Sequence, residues 1–485
     1  MPARISVLLA IFLAICAATA FVFAILNRDA AHPYEFVSRF AIIGVLLVLI
    51  PIVVYYSLRL WLEGGHSAYP DIDDAWQQGL EALQQNGLQI TNIPLFLVLG
   101  ASDDGHADAV MNACGFDFVV SAIPTGRAPL RWYANDDAIY LFCTDLGCLS
   151  RLNNIAKQAV GGSSKSADIT GTLVSGGIMW TAVPDMSSSD AAGPIASPSI
   201  QGTLVPGIQS TLAADSQVPP QSNSMLMTRR MQDEQTERLR YLCDRINRVR
   251  QPLCPLNGVM TLLAMESIRN IVYAREMSEC VQRDLASVRE STRLCASTTV
   301  LVTGMESEPG FSELVRRVGV DRAKSTRFGK GFQIWNKPST ENLDALSSHA
   351  CGAFEDWVYT LFREQDGLSK PGNAKLYAML CRIRSELQLR LKHIIQQGYS
   401  DDGQPESGVT MFAGCYFAAT GASTDRQAFV RSTFEKMVQL EEDLQWTESA
   451  LSEDRRFHRF ARMGMVFNGI LVLAIVGIFA MKYLG

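Results

Sequence analysis

Apolar positions fall into three patterns along this chain. The first is the long unbroken run. Ile5 to Leu26, Phe40 to Leu62 (with Pro51 inside it) and Met463 to Leu484 are almost wholly apolar. At 1.5 Å per residue the first spans roughly 33 Å, enough for a bilayer core, and a proline is tolerated in such a helix. These runs predict a transmembrane hairpin over residues 1–62 and a third transmembrane helix over 463–485. A cleaved signal peptide is the rival for the first run, because Ala17, Ala18, Thr19 and Ala20 are small, but the run continues past them. Arg4 and Arg59 flank the first two spans, and Arg455, Arg456, Arg459 and Arg462 precede the third. The positive-inside bias then places residues 63–462 in the cytoplasm.

The second pattern is the short apolar run bounded by turn residues, which reads as a buried strand. Ile93 to Leu99, Asn257 to Ala264, Ser297 to Thr303 and Thr410 to Ala418 have it. So do Leu130 to Tyr133 and Ala138 to Cys143, joined by the turn Asn135-Asp136-Asp137. The third pattern is helical. Ile72, Trp76, Leu80 and Leu83 share one face, with Gly87 as a stop. Met231 to Arg250 and Cys280 to Leu294 read as helices. Leu343, Leu346, Ala350, Phe354, Trp357 and Leu361 form one stripe, and Leu376 through Ile394 another, capped by Asn373 and stopped by Gly398. A last helix is expected from Asp425 through Phe429, Met437, Leu440 and Leu444. Strands alternating with helices over 63–338 predict a parallel sheet covered on both faces, and 339–462 reads as a helical extension. Residues 161–227 are rich in Gly, Ser, Pro and Ala without a sustained period, and read as a flexible insertion.

Composition adds limits. The chain has 485 residues and is 48% hydrophobic, and its mean hydropathy of +0.09 fits the expected membrane segments. A formal charge of −6 speaks against general nucleic-acid binding. The 11 cysteines are an odd number without metal-like spacing, which favours reduced core thiols over a disulfide framework.

The stretch that carries candidate chemistry is Ile93 to Ala107. Gly100 and Gly105 stand at the glycine positions of a phosphate-binding loop, G-x-x-x-x-G-K-[ST], between a strand and a helix. Where that loop needs Lys and Ser/Thr, the chain has His106 and Ala107. His106 is too short and mostly neutral to span phosphates, and Ala107 offers no oxygen to Mg²⁺. Asp103 and Asp104 put carboxylates where phosphates would rest. One such contact at ~4 Å and an effective dielectric of ~20 costs about 4 kcal/mol.

With these segments in view, the chain resembles the IcmF/TssM family of inner-membrane proteins from type VI and related secretion systems. Asn112 to Phe118 is similar to its "NSGLDFP", Trp132 to Ile139 to "WWFTDEAVL", and Arg250 to Val259 to "RQPLNGVL". Leu301 to Leu314 is similar to "VFTKCDLIAGFSEFF", and Ala413 to Gly421 to "RGFYFTSGT". The resemblance implies a membrane-anchored α/β protein: three transmembrane helices, a P-loop GTPase-like parallel-sheet domain and a helical extension. It also implies partners: a TssL/DotU-like inner-membrane protein, baseplate components, further copies of the chain and the lipid bilayer. The departures imply loss of nucleotide chemistry. Thr144-Asp145-Leu146-Gly147 stands for "DTAG" without its first acid. Thr303-Gly304-Met305-Glu306 stands for the base-reading "TKCD", with Gly304 for its lysine and Glu306 for its aspartate. The expectation is a pseudo-GTPase scaffold with no catalytic residues, no cofactor and no metal. Two alternatives are an atypical NTPase using Asp103, Asp104, Asp145 and Glu306, and a membrane signalling adaptor. The family's large periplasmic part is missing after the third span, which implies a shortened relative, a separately encoded part or a fragment.

Overall fold

The structure is a computed structural model. It describes residues 53, 56, 67–165, 226–251, 253–401, 410–460 and 462–466. Its centre is an eight-stranded sheet. The chain supplies β1 (Leu95–Leu99), β2 (Val120–Ile123), β3 (Leu130–Ala134), β4 (Ile139–Cys143) and β5 (Gly258–Ala264). After a short β6 (Leu294–Ala296), which lies outside this sheet, come β7 (Thr298–Thr303), β8 (Gly329–Gly331) and β9 (Phe412–Phe417). The order across the sheet is β2-β3-β4-β1-β5-β7-β9-β8.

β1 is at the middle and its five residues are all buried. That explains its continuous apolar sequence: a strand covered on both faces has no polar side. Its side chains alternate between two cores, as the pleat requires. Leu95, Leu97 and Leu99 join the larger core, with helices Pro70–Gln85, Arg229–Arg250, Ile271–Thr292 and Thr340–Phe362. Phe96 and Val98 join the smaller one, under helices Asp104–Cys114 and Arg431–Gln439. The segment after β1 therefore crosses one face, while those after β4 and β5 cross the other. Crossovers that part in this way open a crevice at the carboxyl end of the strand between them.

A buried knot fixes the other end of β1. Arg250 ends its helix with its guanidinium bonded to the carbonyls of Ile93 (2.8 Å), Cys254 (2.8 Å) and Ile90. It also reaches Asn257 Oδ1 at 3.1 Å, and that oxygen takes the Leu95 amide at 3.0 Å. Burial lowers the pKa of Arg250. The Arg-Gln-Pro-Leu…Asn-Gly-Val stretch is thus a structural tie.

Four expectations are corrected. No helix among the described residues is long and apolar enough to cross a membrane. The most apolar long one, Thr340–Phe362, carries Glu341, Asp344, Glu355 and Asp356 and turns one buried stripe to the core. The proposed spans at 1–62 and 463–485 lie outside the described residues except Val53, Tyr56 and 463–466, all exposed. Second, the sheet is mixed: β4, β1, β5, β7 and β9 run parallel, while β2–β3, β3–β4 and β8–β9 pair antiparallel. A two-strand turn such as Asn135–Asp137 can only join antiparallel strands. Third, 339–462 is not an extension apart from the sheet: the strand expected at Thr410 to Ala418 is β9, which lies within the main sheet beside β7. Fourth, Asp425 sits in a 3₁₀ turn. The helix expected there shrinks to Arg431–Gln439, and Leu444–Trp446 is a strand on β6. The insertion also narrows: helix Cys148–Lys165 runs into it, Met227 is buried, and 166–225 lie outside the described residues.

Candidate functional site

The crevice at the end of β1 is filled by the chain itself. Gly100 has φ +92°, and a Cβ there would collide with the Leu262 carbonyl of β5, so only glycine fits. Its N–H donates to Ser150 Oγ at 3.0 Å, and its carbonyl accepts from Asn153 Nδ2 at 2.7 Å. Both partners stand on helix Cys148–Lys165. From the same helix, Asn154 Nδ2 donates to the Ser102 carbonyl at 2.7 Å, and Lys157 Nζ meets Asp103 Oδ2 at 2.7 Å.

Asp103 is the N-cap of helix Asp104–Cys114 and accepts the His106 amide at 2.8 Å. This is the ordinary use of aspartate before a helix. Burial raises the Asp103 pKa, but the bonds from Lys157 and the His106 amide outweigh it and leave the pKa below its usual value. Asp104 points elsewhere, to Arg131 at 3.4 Å, and Arg131 also pairs with Asp108 at 2.9 Å. Burial raises the Asp104 pKa against the pull of Arg131. Gly105 is an ordinary first-turn helix residue with room for a Cβ. Ala107 is fully buried under the helix.

His106 closes the loop. The Ser102 amide donates to its Nδ1 at 3.2 Å, with the Ser102 hydroxyl 3.3 Å away. Its Nε2 lies 2.9 Å from Thr303 Oγ1 at the end of β7. An Nδ1 that accepts an amide proton leaves the ring hydrogen on Nε2, so the bonding assigns the neutral ring donating to Thr303. Burial, reinforced by the Lys157 cation and opposed by Asp103, pushes the imidazole pKa from 6.5 down to about 4.

The two downstream elements are engaged as well. Gly304 turns the chain at φ +80°. Glu306 accepts the Thr420 amide at 2.9 Å, with the Thr420 hydroxyl at 3.5 Å. Burial raises its pKa while the Thr420 amide opposes. Asp145 faces Arg151 at 3.8 Å. Gly147 leads into helix Cys148–Lys165, whose first amides, Cys148 (2.8 Å) and Leu149 (2.9 Å), donate to the buried Asp284 carboxylate. Burial pushes Asp284 up to about 6 against the pull of these amides. A Cβ on Gly147 would lie 2.7 Å from Asp284 Oδ2.

The structure thus brings Gly100, Asp103, His106 and Thr303 together and directs Asp104, Gly304 and Glu306 away from them. In a working phosphate loop the backbone amides face the anion. Here the amides of Gly100, Ser102 and His106 are taken by Ser150, His106 and Asp103. Sequence reading missed the helix that does much of this. Its signal was present: Ser150, Asn153, Asn154 and Lys157 are spaced i, i+3, i+4, i+7, one polar face of a helix. Asp284 had no such signal, being 136 residues from Cys148. Among the described residues no group of three His, Cys, Asp or Glu side chains is placed to hold a metal.

Fold and site together describe an α/β protein whose strand–loop–helix crevice is stitched shut from within. Comparison with protein-family models, curated proteins and solved structures finds no match.

Proposed function

We propose that this chain is a nucleotide-independent scaffold, a pseudo-GTPase that serves as a structural subunit of a type VI-like secretion complex at the bacterial inner membrane. It catalyses nothing and takes neither nucleotide nor metal. Its work is to hold other subunits: a TssL/DotU-like protein, baseplate components and further copies of itself. The observation that carries the nucleotide-independent half is the bridge Ser102–His106–Thr303. It occupies the loop with a neutral ring where a lysine would be needed, and the carboxylate of Asp103 serves as the loop's own anion. The secretion half is supported by the family-like segments in their order along the chain.

Titration calorimetry of the purified full chain with GTP and with ATP, each with Mg²⁺, tests the first half. No heat of binding up to about 1 mM nucleotide is expected, and a Kd near 1 μM would overturn it. Mass spectrometry of proteins that co-purify after mild detergent extraction tests the second. A complex without any TssL/DotU-like or baseplate protein would sink it.

A further inference from the structure

A second site lies on the same edge of the sheet, one strand further along. β5 runs into the short helix Met265–Arg269, and β7 runs into the 3₁₀ turn Met305–Ser307 followed by Glu308 and Pro309. Past both passes the helical stretch from Asn373 to Tyr399, interrupted at Ile383–Leu387 by a π-helical turn. Such turns mark local adjustments of a helix and are frequent at functional sites. Between the three elements is a cavity of about 340 Å³.

The floor is apolar, built from Met265, Ile268, Ile383 and Leu387. The rim carries Arg269, Arg382 and Arg390. These guanidinium groups are held in place. Glu308, almost buried, accepts from Arg269 Nη2 at 2.9 Å and Arg382 Nε at 2.6 Å. Backbone carbonyls hold them further: Ser307 takes Arg269 (2.6 Å), Pro309 takes Arg382 (2.5 Å), and Arg269 takes Arg390 (2.5 Å). Stapling the loops would account for these bonds alone. It does not account for three arginines against two acids, Glu308 and Glu386, at a cavity left open in a chain of net charge −6. Each guanidinium has five donors, and the bonds above leave some on every one. Arg390 reaches Glu386 only at 3.6 Å. Close by in sequence stand apolar side chains left in solvent: Ile271 (69% exposed), Val272 (49%) and Leu389 (69%).

We propose that this cavity docks an acidic segment of a partner protein. One aliphatic or aromatic side chain of that segment fills the apolar floor. Its flanking Asp or Glu carboxylates pair with the free edges of Arg269, Arg382 and Arg390, and its next apolar residue covers Ile271 and Val272. The volume is at the small end for binding pockets, which suits one or two side chains. Fixed arginines suit carboxylates, because a planar fork already held in place loses little freedom on pairing. The site stands whether or not the β1 loop binds nucleotide.

The test is fluorescence polarisation with the full chain and a fluorescein-labelled peptide, Asp-Glu-Phe-Glu-Asp-Leu-Asp-Glu. Saturable binding is expected, weakened at least about tenfold by Arg390→Gln, by Ser307→Phe at the cavity mouth, and by raising salt from about 0.1 to 0.5 M. Ser307 is exposed, so that variant blocks entry without touching the core. A peptide with Ser in place of Phe and Leu is expected to lose binding to a similar degree. The proposal is overturned by absence of saturable binding up to about 1 mM, by equal affinity for both variants and the parent chain, or by equal affinity for the Ser-substituted peptide.

Discussion

His106 makes a prediction whose size can be worked out. Its ring is neutral in the folded chain because protonating Nδ1 would sacrifice the Ser102 amide bond and put a cation beside Lys157. In the unfolded chain it titrates near 6.5. Between 6.5 and about 4 the unfolded state therefore binds a proton that the folded state refuses. The stability due to the neutral ring is present in full above 6.5 and is lost as pH falls toward 4. At 1.36 kcal/mol per pH unit the loss is at most about 3 kcal/mol, and the ring's residual exposure reduces it. A simple pH series on the native chain would hide this. Asp284, with its pKa raised from 3.8 to about 6, does the opposite. Its folded form takes up a proton first, so acidification over that range stabilises the fold by a comparable amount, about 3 kcal/mol. The informative quantity is the difference between the native chain and His106→Gln, in which Asp284 cancels. Urea unfolding followed by tryptophan fluorescence at pH 7.5, 6, 5 and 4.5 supplies it. The variant is expected to be less stable by about 1–3 kcal/mol at pH 7.5, the cost of the disrupted bonds, and that deficit is expected to shrink or reverse by pH 4.5. A deficit constant across the series would refute the neutral, bridging ring.

Three further outcomes follow. Gly100→Ala should destabilise the fold by about 3 kcal/mol or more, because its Cβ meets Leu262 at a positive φ, while Gly105→Ala should change stability by less than about 1 kcal/mol. Thermal melts of the two variants read this contrast, and equal effects would show that the loop is not built as described. Arg250→Ala should cost about 3–5 kcal/mol, since it strips the bonds from the carbonyls of Ile90 and Ile93 and from Asn257, and Arg250→Lys should not restore it; a urea midpoint for Arg250→Lys matching the native chain would refute the tie. His106→Lys combined with Ala107→Ser should still fail to bind GTP in calorimetry, because Asp103 and the helix Cys148–Lys165 continue to occupy the loop.

The sheet was legible where burial is two-sided. β1 and β4 are unbroken apolar runs, β5 and β7 are runs whose only polar residues are threonines, and each is a strand of the main sheet. The edges were not. β8 is Gly329-Lys330-Gly331, which has no apolar residue to signal it, and β2 is a short strand with one fully buried position. The helical signal of Phe429, Met437, Leu440 and Leu444 misled because, of these, only Met437 lies in the helix Arg431–Gln439: Phe429 precedes it, Leu440 ends it and Leu444 belongs to the strand on β6. For the site, the missing lysine and hydroxyl of the loop were plain at His106 and Ala107. What fills the space was not, since Thr303, Asn153 and Asp284 reach it only through the tertiary fold. The arginine-rimmed cavity depends on a π turn that no residue pattern marks.

The stitched loop also sets how this region moves. In nucleotide switches the segments that contact the terminal phosphate order when it is bound and are released when it is lost. Here the amides of Gly100, Ser102 and His106 are bonded to side chains of their own fold at the centre of the sheet. Their deuterium exchange should then track global unfolding rather than local opening. The end of β1 is then expected to be among the slowest-exchanging parts of this protein, a rigid splice between the two halves of the sheet.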